Sequence, residues 1–483
     1  MNERADDPGR RRLPRLTGDA PTEPMQISDL LRHTPFRGTR AHQEPTEDAA
    51  VGEALNLCAR VGELMLRCGA GAPHVESSVV ALATAAGLRT FELDITLQSL
   101  HLQAVGPSGR TYSVLRVVRS TRHDHARLTA VHGLVGAVVA GELSVPEATE
   151  ELRRIKSHPR TWPLWVVSVA HALLASAVAV MIGASAMGAL TTIVVVFIVT
   201  AVNRVLARRS LPEFYANAIN AVCATLLAGA AYAMGSSGWL PIGESDFAFI
   251  VAGGIVAMLP GRTMASAVED VLFGYPLTGA GRLLSVTLSL TGLVIGVAAG
   301  LSTLLRITQS LGSAFVSPAV LELQVTAAPW LAVVIGAFIV GLAGTITVQS
   351  RRKLLLPAAV LCAVGAGALA LLTRVLDVGV ISATGLAAIL VGFVGRVVAL
   401  RMDSPAMTLV VPASFGLLPG LTIFRALYEM TASGGDAGLL SLQSGITTML
   451  GAGATLLAIA TGTVFGEILA SPLDRRPAQI RSR

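Results

Sequence analysis

Charged residues are scarce. Only 14% of the 483 residues are Asp, Glu, Lys or Arg, against about 25% in a soluble globular protein. The deficit falls after about residue 160, where long apolar runs dominate, so most of the chain is expected to face lipid. Cysteine is also sparse. Cys58, Cys68, Cys223 and Cys362 form no CxxC pair, so neither a disulfide framework nor a zinc site is implied. Cys223 and Cys362 lie in apolar runs, where a lone thiol behaves as a small hydrophobe. Aromatics make up 5% and the net charge is +6. The arginines collect at the ends of apolar runs and in the tails, which is orientation chemistry and argues against a nucleic-acid partner. There is no Walker GxxxxGK[ST], GxSxG or HExxH sequence, so no catalytic residues, no metal and no cofactor are assigned. The first thirty residues carry no apolar core of a signal peptide, and no cleaved leader is expected.

What is present divides into a polar beginning and an apolar remainder. Residues 1–48 mix Arg, Pro, Thr and Glu without periodicity and read as a disordered tail. Residues 49–158 read as a small α+β domain. Val51, Leu55, Leu57, Val61 and Leu64 fall on one helical face. A second helix is expected from Pro73 to Ala86, with proline at its start. Phe91, Leu93, Ile95 and Leu97 alternate with polar residues in a strand run extending to Val105. Gly106 to Gly109 is a turn, and a return strand covers Thr111 to Arg119. Helices follow near 125–140 and 146–156. The run His123-Asp124-His125 resembles a ligand cluster, yet without a Cys or HExxH partner it reads as structural or surface histidine.

A basic collar at Arg153, Arg154 and Lys156 and the aromatic pair Trp162 and Trp165 precede the first apolar run. Ten runs of spanning length follow, near 163–183, 187–206, 213–234, 247–266, 280–304, 329–348, 354–373, 378–399, 405–427 and 441–468. Starting inside, the inner loops receive Arg204, Arg208, Arg209, Arg262, Arg282, Arg351, Arg352, Lys353, Arg396 and Arg401, and the C-terminal tail is also Arg-rich. The outer loops receive only Arg306, Arg374 and Arg425. The positive-inside rule thus places both termini in the cytoplasm. The fold class expected is an α-helical polytopic membrane protein. Its ten transmembrane helices form two inverted five-helix repeats, behind a small α+β cytoplasmic domain. The first membrane repeat covers 159–305, an external linker 306–328, the second repeat 329–470 and a cytoplasmic tail 471–483.

The repeat rests on two interrupted apolar stretches. Val411-Pro412 to Met430 contains Leu418-Pro419-Gly420 and then Arg425 and Glu429. Met258-Leu259-Pro260-Gly261 is followed by Glu269-Asp270. The offset is 420 − 261 = 159, and it also sets Asp270 against Glu429. With slippage, 280–285 matches 437–441, and Gly292 to Gly300 matches Gly445 to Gly453. Proline removes a donor, and backbone freed in lipid needs protein or a water-lined cavity. Pro260, Gly261, Pro412, Pro419 and Gly420 are therefore expected as hinge or broken-helix positions. Paired breaks in two halves point to the substrate site of a secondary transporter. Arg425 and the free amides beside Pro419 and Gly420 would hold a carboxylate. Asp270 would meet an amine or carry a coupling proton, with Glu467 as a second proton candidate. Asn217 is either a substrate contact or interhelical glue, and His171 is either a proton relay or a structural residue.

The chain resembles the bacterial threonine/serine exporter family over about Ala50 to Arg476. The resemblance rests on LCARVGELMLRCGAGAPHVESSV with the FELDITLQSL strand, Leu211-Pro212-x-Phe214-Tyr215-x-Asn217, GLLPGLTIFRALYEM, and Gly466-Glu467 closing the last span. It implies a cytoplasmic N-terminal domain, ten spans in the inner membrane of a bacterium, and export of threonine and serine driven by protons. In some relatives the halves are separate proteins associated with dicarboxylate export, which keeps a dicarboxylate exporter as an alternative. A membrane-anchored hydrolase or receptor using residues 49–158 is the alternative of another class. The expected partners are the amino acid, protons and the bilayer. Homo-oligomerisation is left open.

Overall fold

The computed structural model describes residues 47–88, 90–256, 258–310, 328–431 and 438–474, with Thr34, Phe36 and Thr39. The expectations for the N-terminal tail, for most of the linker between the halves and for the last nine residues lie outside these.

The N-terminal lobe begins with α1 (Asp48–Arg67) and α2 (Ala72–Ala85). Gly69 breaks the chain between them at φ +93, a backbone conformation that favours glycine. Pro73 stands in the first turn of α2, where its missing N–H costs nothing. Three antiparallel strands follow, β1 (Phe91–Thr96), β2 (Ser99–Val105) and β3 (Thr111–Val117). Their order is β1-β2-β3, with Phe91 opposite Ala104 and Leu102 opposite Val114. The single strand run read from 90 to 105 is thus two strands. They are joined at Leu97-Gln98, with Thr96 paired to Ser99. Leu97 has φ +56, and leucine gives no turn signal. The turn is held from outside the lobe, because the Leu97 N–H donates to Thr278 Oγ1 at 3.0 Å. The lobe closes with α3 (His125–Val139) and α4 (Val145–Ser157). Its core is continuous, including Leu55, Val61, Leu82, Leu100, Leu102 and Leu128.

The remainder is helical: α5 (Leu164–Ile182), α6 (Ala186–Arg208), α7 (Glu213–Ser236), α8 (Glu244–Val256), α9 (Gly261–Leu272) and α10 (Pro276–Ser310). The second set is α11 (Trp330–Thr347), α12 (Leu355–Arg374), α13 (Val380–Arg401), α14 (Met407–Ser414), α15 (Gly420–Thr431) and α16 (Gly438–Ala470). Among the described residues, eight helices are long and apolar enough to cross a membrane. The runs read as spans four and nine are divided instead, into α8 and α9, and into α14, a 3-10 turn at Phe415–Leu417 and α15. The helix runs through Pro412 without stopping and ends beyond it. The molecule is a predominantly helical, multi-pass membrane protein.

Contacts in the first set recur in the second. α7 packs on α10 and α13 on α16, α9 on α10 and α15 on α16, while α5 and α11 pack on each other. Glycines make this close approach possible. Gly279 of α10 lies against the Ala267 carbonyl of α9, and Gly445 of α16 lies against the Ala426 carbonyl of α15. Gly296 meets the Ala218 carbonyl, and Gly462 meets the Gly385 carbonyl. The short helices correspond at 426 − 267 = 159, but the long helices correspond at 445 − 279 = 166 and 462 − 296 = 166. This spacing differs from that of the sequence match of Gly292–Gly300 to Gly445–Gly453. The chain between α15 and α16 is longer than that between α9 and α10 by 6 − 3 = 3 residues, which accounts for part of this change of spacing.

Candidate functional site

The two interruptions meet. α8 ends at Val256 and α9 starts at Gly261, with Pro260 unable to donate a hydrogen bond. α15 starts at Gly420, directly after Pro419. A Cβ on Gly420 would overlap Val256 Cγ2, and a Cβ on Gly261 would lie 3.2 Å from Leu418 Cδ2. Each break thus packs against the flank of the other. Beside them lies a cavity of about 30 Å³, lined by Gly261, Met264, Val411, Ser414, Leu418 and Thr463, among others. A void of this size has room for water but not for an amino acid. Ser414 and Thr463 are polar, but each hydroxyl donates to a carbonyl of its own helix, Val411 at 2.8 Å and Ala460 at 2.9 Å. The first amides of α9 start at this point, and the first turn of a helix has no intrahelical acceptor and favours anions.

The other end of α9 enters a polar cluster built with the N-terminal lobe. Asp270 is fully buried. Its Oδ1 accepts from the Ala72 N–H at 2.8 Å, so a residue 198 positions away caps the N-terminus of α2. Its Oδ2 lies 2.8 Å from Arg282 Nη1, a charge contact without hydrogen-bond alignment. Arg282 Nη2 reaches the Ala70 carbonyl at 3.3 Å. Beside it, Glu269 Oε1 lies 2.7 Å from His74 Nδ1. Burial disfavours the imidazolium, but the close charge of Glu269, helped by Glu467, outweighs it and pushes His74 up to about 9. His132 faces the same region and is pushed down to about 4, by burial and then by His74. Gly71 leaves the space that Glu269 occupies, since a Cβ there would stand 2.8 Å from its Oε2.

The lobe touches the second half too. The His125 and Ala126 amides donate to the Val348 and Gln349 carbonyls at 3.0 and 3.1 Å, and Met407 of α14 joins the lobe core. The Gln349 side chain bonds Trp162 through both its N–H and its carbonyl, each at 3.0 Å. Asp124 caps α3 through the Arg127 amide at 3.1 Å, and the His123 ring packs at Gly69. The His123–His125 run therefore builds the lobe and its junction, and no group of three potential metal ligands occurs among the described residues.

The sequence-predicted site residues fall in different places. Pro260, Gly261, Pro419 and Gly420 lie at the junction of the breaks, and Pro412 lies 418 − 412 = 6 positions before Leu418, in α14. Asp270 sits in the lobe cluster, and Glu467 stands close enough to influence His74. Arg425 is exposed on α15 and outside the cavity wall. Asn217 is buried in α7, and its Nδ2 has no partner among the described residues. It lies 224 − 217 = 7 positions, or about two turns, from Ala224, which packs on Gly254 of α8. His171 Nδ1 bonds the Val167 carbonyl of its own helix at 2.8 Å. His74, Glu269 and Arg282 were not read as a site. Their partners are distant in sequence, and only the LRCGAGAPH pattern hinted that this turn was special.

Comparison with known proteins agrees with this arrangement of two halves. Residues 56–304 match a family described as "Putative threonine/serine exporter", and residues 333–469 match one described as "Threonine/Serine exporter, ThrE". A "Probable threonine/serine exporter" of Mycobacterium tuberculosis is 29% identical over 434 residues, 88% of this chain and 78% of that protein. A "Threonine/serine exporter" of Corynebacterium glutamicum is 29% identical over 453 residues, 93% of this chain and 89% of that protein. No solved structure matches. The first family model alone covers more than half of the chain, and the chain belongs to the threonine/serine exporter family.

Proposed function

We propose that this protein is a secondary exporter of threonine and serine across the inner membrane of a bacterium. The observation that carries the mechanism is the meeting of the two Leu-Pro-Gly breaks, with Gly420 on Val256 and Gly261 by Leu418. Eight continuous helices and two broken ones make ten passes. The recurring helix pairings, with α5 and α11 packed on each other, support two inverted repeats. Substrate would bind between the breaks once they part. Its carboxylate would take amides of the first turns of α9 and α15, the Gly420 N–H first leaving the Leu418 carbonyl that it meets at 2.9 Å, with Arg425 meeting it at the outer mouth and Asn217 along the inner approach. The N-terminal lobe would lie in the cytoplasm, seated on the inner ends of both halves, and would have to yield for substrate to enter.

Asp270 would couple this movement to protons, with Glu467 nearby as the second acid. Among the described residues Asp270 is held by Arg282 and one amide; protonation removes its charge and weakens both contacts, so proton uptake there would loosen the lobe. The test is efflux from proteoliposomes loaded with threonine, serine or succinate, with and without a pH gradient. Threonine and serine efflux accelerated by the gradient is the expected result. Succinate efflux alone would make the protein a dicarboxylate exporter.

A further inference from the structure

A second cavity lies in the lobe, away from the breaks and from the Asp270 cluster. It has a volume of about 370 Å³, within the usual range of small-molecule sites of roughly 300–1,000 Å³. Arg60 and Arg67 of α1, Arg116 of β3, and Arg153 and Lys156 of α4 line it, and Glu63 is the one acid in its wall. The sequence produces this by helical spacing. Residues 60, 63 and 67 share one face of α1, and 149, 152, 153 and 156 share one face of α4. Packing α1 against α4 and β3 then closes the basic faces around one space.

These cations are poorly neutralised. Arg153 pairs with Glu150 at 2.6 Å. Arg116 Nη2 donates to Asn56 Oδ1 at 2.9 Å, while its buried Nε has no partner among the described residues. No ion pair involves Arg60, Arg67 or Lys156 among the described residues. Like charges gathered this way destabilise the free fold. Membrane orientation accounts for Arg153 and Lys156, just before the first span, but not for Arg60, Arg67 and Arg116, because that rule acts within about 15–20 residues of a span. Among the described residues no aromatic ring lines the cavity, so recognition would be by charge and by guanidinium forks, which match phosphate oxygens in pairs.

We infer that this cavity binds an anion carrying two or more phosphate groups, either a soluble polyphosphate or the headgroup of a bisphosphate lipid. The site lies on the lobe that seats against both membrane halves, so its occupant would bear on how that lobe is held. The experiment uses the full chain. Inorganic tripolyphosphate is titrated by calorimetry into detergent-solubilised protein at near-physiological salt. In parallel, thermal unfolding is compared in phosphatidylcholine nanodiscs with and without cardiolipin. One saturable site for tripolyphosphate, weakened about tenfold or more by R60Q/R67Q together, is the expected result for a soluble ligand. Stabilisation by cardiolipin alone, lost in the same variant, assigns the site to lipid. R153Q/K156Q, on the opposite wall, should give the same loss and guards against misfolding of the first pair. Neither probe binding, or binding unchanged in both double variants, would overturn the proposal.

Discussion

The two broken segments are built alike and guarded differently. α9 and α15 each have twelve residues, each follows a Leu-Pro-Gly sequence, and each leads into a helix of more than thirty residues. Yet the acid near the end of α9, Asp270, is buried under the N-terminal lobe and bound to Ala72 and Arg282. Its counterpart at the same offset, Glu429, accepts hydrogen bonds from Ser444 and Thr448 of the next helix, at 3.0 and 2.9 Å. One carboxylate answers to another part of the molecule, and the other to its own hairpin. The two hairpins thus share their packing and differ in what covers their acids. Among the described residues the lobe contacts the acid of α9, and the acid of α15 is bonded within its own hairpin.

The comparison breaks most sharply at the point where the halves meet. Gly420→Val places a side chain on Val256 and should abolish threonine efflux while leaving insertion intact. Normal efflux by this variant would show that the breaks do not need to lie together. Next in size is Asp270→Asn. Transport driven by a pH gradient should be lost, while exchange without a gradient continues, because exchange moves no net proton. Arg282 is left without its buried partner, a cost of about 3 kcal/mol, so both assays need matched amounts of folded protein. If the Asn variant still concentrates substrate using the gradient alone, Asp270 is not the proton carrier and Glu467 takes its place.

Arg425→Gln tests the other mouth. It should insert normally and reduce efflux of carboxylate-bearing substrates severely, with Arg425→Lys restoring only part, because lysine lacks the two-pronged donor. Efflux at the normal rate in the Gln variant would make Arg425 an anchor at the lipid surface. Glu429→Gln should matter least of these. Its hydroxyl partners can bond an amide as well as a carboxylate, so a change of no more than about twofold is expected. A loss as large as that of Asp270→Asn would erase the asymmetry between the mouths.

Much of this was legible in the sequence, for reasons that also mark where legibility ends. Apolar runs of spanning length gave the long helices within a few residues, because lipid imposes its thickness on sequence. Pro260-Gly261 and Pro419-Gly420 marked the two interruptions, because proline and glycine act locally. The hairpin at Leu97 was not visible, since a contact with Thr278, 181 residues away, holds a turn that leucine would not choose. The lobe cluster was hidden for the same reason. Asp270 stood out as an acid beside a break, but nothing local told that it caps α2 or that His74 meets Glu269. The glycine contacts of the long helices recur at 166 and those of the short helices at 159, a difference of spacing that only the packing shows.

The smallest expected effect concerns pH and the seat of the lobe. His74 titrates near 9 in the folded protein, above its ordinary value of about 6.5. A raised histidine binds its proton more tightly when folded. Its contribution is therefore fully present below about 6.5 and is lost as pH rises through about 9. Glu269 supplies the attraction at 2.7 Å, and Arg396 opposes it. About a third of the His74 side chain is exposed, so solvent screens the pair and the effect on stability is modest. Thermal unfolding of the detergent-solubilised protein should drop between pH 7 and 9.5, and His74→Gln should flatten that drop while lowering the melting temperature at pH 7. Glu429→Gln should leave the slope untouched, because among the described residues Glu429 bonds hydroxyls and no histidine. An identical slope in wild type and His74→Gln would mean that the lobe is held by Asp270 and its neighbours alone, and that the histidine only fills the space at the α2 N-terminus.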